Sequence, residues 1–161
     1  MENNKLVQSS YSEQEVTILL QDVQGKVPVL DTKEREKLNQ SGVHYSEMLP
    51  VEYAPSDEYL KLYKETLASQ GKETAQAVVN LASKILKEKS LGNIVLVSLA
   101  RAGTPVGILL KRYFDKYADE NRKHDIPHYT ISIIRGKGFD KAAINYILEN
   151  HLASSIVFVD G

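Results

Sequence analysis

The stretch Ile94-Val95-Leu96-Val97-Ser98-Leu99-Ala100-Arg101-Ala102-Gly103-Thr104-Pro105 decides the fold. Its first seven residues are nearly all apolar and rich in β-branched side chains, the composition of a strand covered on both faces. Arg101 to Thr104 then form a turn. Val106, Ile108, Leu109, Leu110, Tyr113 and Phe114 follow at helical spacing, with Thr104 as the cap and Pro105 in the first turn. After a polar loop from Asp119 to Asp125 the grammar repeats: strand Tyr129 to Ile134, loop Arg135-Gly136-Lys137-Gly138, and a helix carrying Ala142, Ala143, Ile144, Ile147 and Leu148. A third apolar strand, Ile156 to Val159, runs into Asp160-Gly161. Strand-helix-strand-helix-strand with apolar strands predicts an open, parallel, Rossmann-like α/β sheet with helices on both faces.

Upstream, capping signals predict short helices. Ser12-Glu13-Gln14-Glu15 has the pattern of a capping box before Val16, Ile18, Leu19 and Leu20, with a strand as the competing reading. Asp31 and Glu34 repeat the pattern, and that helix ends at Ser41-Gly42, where glycine takes the left-handed position. His44 to Pro50 reads as an ordered loop in which Tyr45 and Met48 pack inward. Ser56 caps a helix whose apolar face is Tyr59, Leu60, Leu62, Tyr63 and Leu67. Gly71 interrupts it, and a second helix carries Ala75, Val78, Val79, Ala82, Ile85 and Leu86. Residues 1–55 are thus expected to form an arm and hood-like region, and 56–161 the α/β core.

Composition narrows the class. The 161 residues are 42% hydrophobic and 25% charged, the profile of a globular domain able to bury roughly 70% of its unfolded surface. A net charge of -1 provides no field to draw in a phosphate backbone or an anionic membrane, so nucleic acid is disfavoured. No segment approaches the ~20 apolar residues of a membrane helix, and the polar start shows no export signal. With no cysteine there is no disulfide, thiolate metal site or cysteine nucleophile in these residues, and a reducing cytoplasm is the expected location.

In open parallel sheets ligands gather outside the carboxyl ends of the strands. All three ends here carry chemistry. Arg101-Ala102-Gly103-Thr104 opens a helix, where backbone N–H groups and the helix dipole favour an anion and Gly103 allows close approach. Arg135 and Lys137 alternate with two glycines, and Asp160 is a carboxylate straight after four apolar residues. Each has a plain structural alternative: a strand-to-helix turn, a solvated loop and a helix cap. The dinucleotide, P-loop and nucleophile-elbow fingerprints are absent. His44, His124, His128 and His151 show no metal-ligand spacing, so no metal is assigned to protein ligands. Ser41, His44 and Tyr45 lie in a loop able to contact a planar or hydroxylated ligand.

These three strand ends, with Ser41 to Pro50 and Ser98 to Gly107, resemble the type I phosphoribosyltransferase-like family of bacterial tellurite-resistance and stress-response gene clusters, from about Val16 onward. Some relatives carry the label cysteine protease StiP, which a chain without cysteine does not support. The resemblance implies that Arg101, Ala102, Gly103 and Thr104 hold the diphosphate of phosphoribosyl pyrophosphate (PRPP) and that Arg135 and Lys137 cover it. It further implies that Asp160 and Gly161 begin the PRPP motif, with Gly161 where a paired acid is commoner. Ser41, His44 and Tyr45 would belong to the hood that selects a base-like acceptor. Mg²⁺ would arrive with PRPP, and Arg101, Arg135, Lys137 and Asp160 would stabilise the charges of an oxocarbenium-like pentosyl transfer.

PRPP-dependent transfer to a nitrogen acceptor is therefore the first expected function. A non-catalytic PRPP or nucleotide sensor comes second, and proteolysis by a site outside these residues third. A homodimer is left open. Three strands are few against the ~5 or 6 of an average sheet, so the sheet is expected to be truncated at its carboxyl end, and the chain to be an inactive amino-terminal portion of a longer protein.

Overall fold

A computed structural model describes residues 9–117 and 126–161; the expected loop Asp119 to Asp125, with His124, and the opening Met1 to Lys5 lie outside the described residues. In chain order the elements are β1 (Thr17–Leu19), β2 (Val29–Leu30), α1 (Thr32–Gln40), β3 (Leu49–Pro50), α2 (Asp57–Glu88), β4 (Val95–Ala100), α3 (Gly103–Tyr117), β5 (His128–Ile134), β6 (Gly138–Phe139), α4 (Lys141–Asn150) and β7 (Ile156–Val159). The chain divides into two compact units, residues 1–21 with 72–161, and residues 22–71.

The larger unit is a mixed α/β layer structure built on a parallel sheet ordered β1-β5-β4-β7. The three expected strands are its β4, β5 and β7, and β4 lies between β5 and β7 as its continuous apolar composition requires. Of the two further strands of this sheet, one is the competing reading of the segment after Ser12 and the other escaped the sequence reading. Ser12 to Glu15 forms a turn, with Glu15 N and Val16 N donating to the Ser12 carbonyl, and leads into β1 beside β5. The helix expected there does not form: Val16, Thr17 and Ile18 are β-branched and a strand suits them better. The other is β6, antiparallel to β5, so Arg135-Gly136-Lys137 is the turn of a hairpin and the sheet has five strands with one antiparallel edge. Gly136 and Gly138 take φ of 78° and 93°, which the turn requires and other residues rarely adopt.

Each face of the sheet has its own core. On one, Leu96 and Val159 pack with Ala82 of α2 and with Leu110 and Phe114 of α3. On the other, Val95, Val97, Leu99 and Ile131 pack with Ala143 and Ile147 of α4. Helices on both faces agree with the expectation.

In residues 22–71, Asp31 and Glu34 form the reciprocal capping box of α1, and Gly42 follows its end at φ 94°. β2 and β3 pair in parallel. Ser56 caps α2 through its hydroxyl, which accepts from Tyr59 N at 3.2 Å. Two expectations fail in α2. It is one helix of 32 residues, and Gly71 does not break it. A single helical glycine costs about 1 kcal/mol against alanine, less than the hydrogen bonds lost by ending a long helix there. The expected apolar face, Tyr59, Leu60, Leu62, Tyr63 and Leu67, is exposed. A Cβ at Gly71 would meet only Leu67 Cδ1, at 3.9 Å, so Gly71→Ala should stabilise the protein by about 0.5–1 kcal/mol. Thermal melts would register this as a raised midpoint, and a lowered one would mean that the segment is not regular helix.

Candidate functional site

The β4–α3 turn and the end of β7 meet backbone to backbone. A Cβ on Gly103 would fall inside contact of the Val159 carbonyl oxygen and lie 3.1 Å from the Val159 carbonyl carbon and 3.3 Å from Asp160 Cα. A Cβ on Gly161 would lie 2.7 Å from the Ala102 carbonyl carbon. Both glycines are therefore required by packing. The bare Cα of Gly103, expected to admit a ligand, is taken up by the neighbouring strand. Arg101, Ala102, Asp160 and Gly161 remain exposed, and the Ala100–Arg101 peptide is cis. Asp160 accepts a 2.9 Å hydrogen bond from Gly161 N. Being exposed, its carboxylate escapes the burial cost that first drew attention to it.

Thr104 departs from its expected role as helix cap. α3 begins one residue earlier, at Gly103, and the Thr104 side chain is buried, its Oγ1 2.7 Å from Thr130 Oγ1 of β5. Its hydroxyl is therefore spent inside the fold. Arg135 and Lys137 are exposed in the β5–β6 turn, which Lys137 N closes by donating to the Ile134 carbonyl at 2.9 Å. The hairpin continues to Phe139, whose ring stacks on Phe158 of β7 with centroids 5.3 Å apart and an interplanar angle of 9°. Both rings are exposed, 44% and 49%. That stack, absent from the sequence reading, joins the hairpin to β7 and brings the second strand end toward the third. The signal was an aromatic close to each motif, Phe139 directly after Gly138 and Phe158 two residues before Asp160.

Ser41, His44 and Tyr45 belong to the other unit. There, His44 Nδ1 lies 2.8 Å from Ser46 Oγ and the His44 ring lies against Tyr45, centroids 4.5 Å apart. Met48 is buried as expected, whereas Tyr45 is exposed. Among the described residues no three histidine, cysteine or acidic side chains gather as metal ligands, and Asp160 is the single carboxylate in the three strand-end motifs. That is a sparse donor set for Mg²⁺, which takes oxygen ligands.

A buried polar chain runs beneath the turn, between α3 and the sheet. His128 Nδ1 lies 2.8 Å from the Glu15 carbonyl oxygen, which only accepts, so this nitrogen carries the proton. Nε2, 2.7 Å from Ser98 Oγ, then accepts from the serine hydroxyl. Burial, with a smaller contribution from the nearby Lys111 cation, holds the imidazole below the ordinary histidine range, although the bond to Glu15 acts in the opposite sense. Lys111 is itself buried, donating to the Ile126 carbonyl at 2.9 Å and pairing with Asp115 at 3.3 Å. Glu15 is held a second time, by Arg112, whose Nε donates to its carboxylate at 2.6 Å. That bond keeps the Glu15 carboxyl below the usual carboxylate range.

These observations define an α/β protein with a candidate ligand site where the carboxyl ends of parallel strands converge. Residues 9–161 match the family described as "Tellurite-like stress resistance cysteine protease StiP". The chain is also 41% identical over 153 residues to "Cysteine protease StiP" of Acinetobacter baylyi (strain ATCC 33305 / BD413 / ADP1), an alignment that covers 94% of this chain and 38% of the relative. The chain belongs to the StiP family. It thus spans less than half the length of that relative. No solved structure matches it.

Membership supports the stress-resistance half of the resemblance read from the sequence and removes the other half. PRPP-dependent pentosyl transfer, and the transferase class with it, is overturned by a family described as a cysteine protease, which is a hydrolase. The three strand ends misled because glycine turns and basic residues at a sheet's edge suit any anion, while nothing in them specifies the reaction. Among the described residues, no helix is long and apolar enough to cross a membrane.

Proposed function

We propose that this chain is the part of a StiP-family stress-resistance protein that holds the anionic portion of a substrate, an acidic peptide, at the carboxyl ends of β4, β5 and β7. The observation that carries the reading is the convergence of those ends. Gly103 and Gly161 seat the α3 amino terminus against β7, and the Phe139–Phe158 stack draws in the hairpin bearing Arg135 and Lys137. The positive end of the α3 dipole and the Arg101 guanidinium suit a carboxylate. Residues 1–161 contain no cysteine, so the nucleophile in the family's printed name would come from outside them. In this division of labour the chain positions substrate and does not cleave it.

Titration of the 161-residue chain with an acetylated Glu-rich peptide, followed by amide chemical shifts, tests the reading. The amides of Ala102, Gly103 and Gly161 should move together. Arg101→Ala should weaken binding about tenfold or more with unchanged circular dichroism, the loss expected for one charge-assisted contact of roughly 1.5–3 kcal/mol. Shifts elsewhere, or affinity indifferent to Arg101, would sink it.

A further inference from the structure

We infer that Glu15 and His128 form an acid-sensitive latch that holds β1 on the sheet and releases it when the imidazole takes up a proton. β1 is the smallest strand of the parallel array, three residues paired only with β5, and it lies at the sheet's edge. So short a pairing needs anchors, and the residues before it supply two at one position. The Glu15 carbonyl accepts from His128, and its carboxylate is gripped by Arg112 of α3. Hydrogen bonds thus reach Glu15 from β5 and from α3.

Only one of these anchors titrates near neutral pH. Arginine stays charged, and Glu15 is held ionised by it. His128, by contrast, is 4% exposed and uses both nitrogens, Nδ1 as donor and Nε2 as acceptor. A proton on Nε2 would leave both hydrogen bonds possible, the Ser98 hydroxyl turning to accept, but would place a charge in a site closed to water, so tightly covered by α3 that a Cβ at Gly107 would strike the ring. The charged groups on the elements around it, among the described residues, are Lys111, Arg112, Asp115 and Lys116 of α3 and Glu13 and Glu15 of the amino-terminal segment; β4 and β1 carry none. Lys111 opposes the added charge. The least costly relief is for the imidazole to reach water by shedding the smallest element over it, residues 12–19. The edge of β5 is then uncovered and offers unpaired backbone to another chain.

The direction with pH follows from the lowered value of His128. The latched form binds fewer protons than the open form. Its stabilisation is complete above the ordinary histidine pKa of about 6.5 and declines as pH falls from there toward the lower value of the latched state.

Amide hydrogen exchange of the full 161-residue chain, corrected for the intrinsic rate, tests this at pH 7.5 and pH 5.0. Protection of Thr17 to Leu19 should fall several-fold at the lower pH while Val95 to Leu99 keep theirs, and in His128→Asn the two pH values should give equal protection for β1. Unchanged protection in the wild type, or the same acid loss in His128→Asn, overturns the latch. If His128→Asn does not fold, the ring itself decides in the unaltered chain, its proton resonances followed by NMR across the same pH range. The pH at which Thr17 to Leu19 lose protection must coincide with the pH at which the His128 ring signals move. Loss of protection at a pH where those signals stay still overturns the proposal.

Discussion

Gly107→Ala should remove a large part of the protein's net stability. Residue 107 lies on the row of α3 that faces the sheet, with Gly103, Thr104, Leu110, Lys111 and Phe114 around it. A Cβ there would fall inside contact of Ser98 Oγ and His128 Nε2 and lie 2.8 Å from His128 Cε1. Overpacking costs roughly 1–3 kcal/mol. Here the atoms struck are also the two partners of a 2.7 Å hydrogen bond in a site closed to water, and losing it adds roughly another 1–3 kcal/mol. A total near 4 kcal/mol is large against the 5–15 kcal/mol that most domains possess. Urea unfolding should show the midpoint lowered in proportion. Ser98→Ala in the same chain should recover part of the loss, because it removes one of the struck atoms. A midpoint unchanged by Gly107→Ala would mean that α3 rides higher above the sheet than described.

Phe114→Ala should cost about 3–5 kcal/mol, the range for a large aromatic lost from a core that cannot collapse. The ring is 1% exposed and belongs to the cluster of Ala82, Ile94, Leu96, Leu110, Ile126 and Val159. It therefore touches the sheet from the α3 side and supports the strand that ends at Asp160. The comparison that gives the number meaning is Phe158→Ala. That ring is half exposed, and its loss should cost about 1 kcal/mol or less, mainly the stack with Phe139. Chemical unfolding of the two variants would separate them. Similar losses would show that the outer ring is covered in solution.

The sheet was legible in Ile94 to Ala100 because a run so apolar has few other places to go, and the same holds for Ile156 to Val159. β1 was obscured because Ser12 and Glu15 satisfy a capping pattern whose physics is local, while the strand owes its existence to β5, far along the chain. Gly107 gave no sign at all: a glycine in a helix reads as a small defect until Ser98 and His128 are seen beneath it. His128 drew attention only as a metal ligand, and its work is to join β5 to the turn before β1. At the strand ends the sequence did not separate residues that pack from residues that face solvent. Gly103 and Thr104 serve packing, leaving Arg101, Ala102 and the hairpin to face solvent. The reaction was out of reach because glycine turns and basic residues at strand ends are common to many chemistries.

The register of the sheet also carries an order of assembly. Leu96 pairs with His128, 32 positions on; Val95 pairs with Ile156, 61 positions on; Thr17 pairs with Tyr129, 112 positions on. Each doubling of the loop to be closed adds about 0.6 kcal/mol of entropy, so the last pairing starts about 1 kcal/mol behind the first. It also returns only three residues of ladder. The chain would therefore join β4 to β5, then β7, and seat its own beginning last, so that a ribosome-bound or newly refolded molecule passes through a state with its first strand undocked.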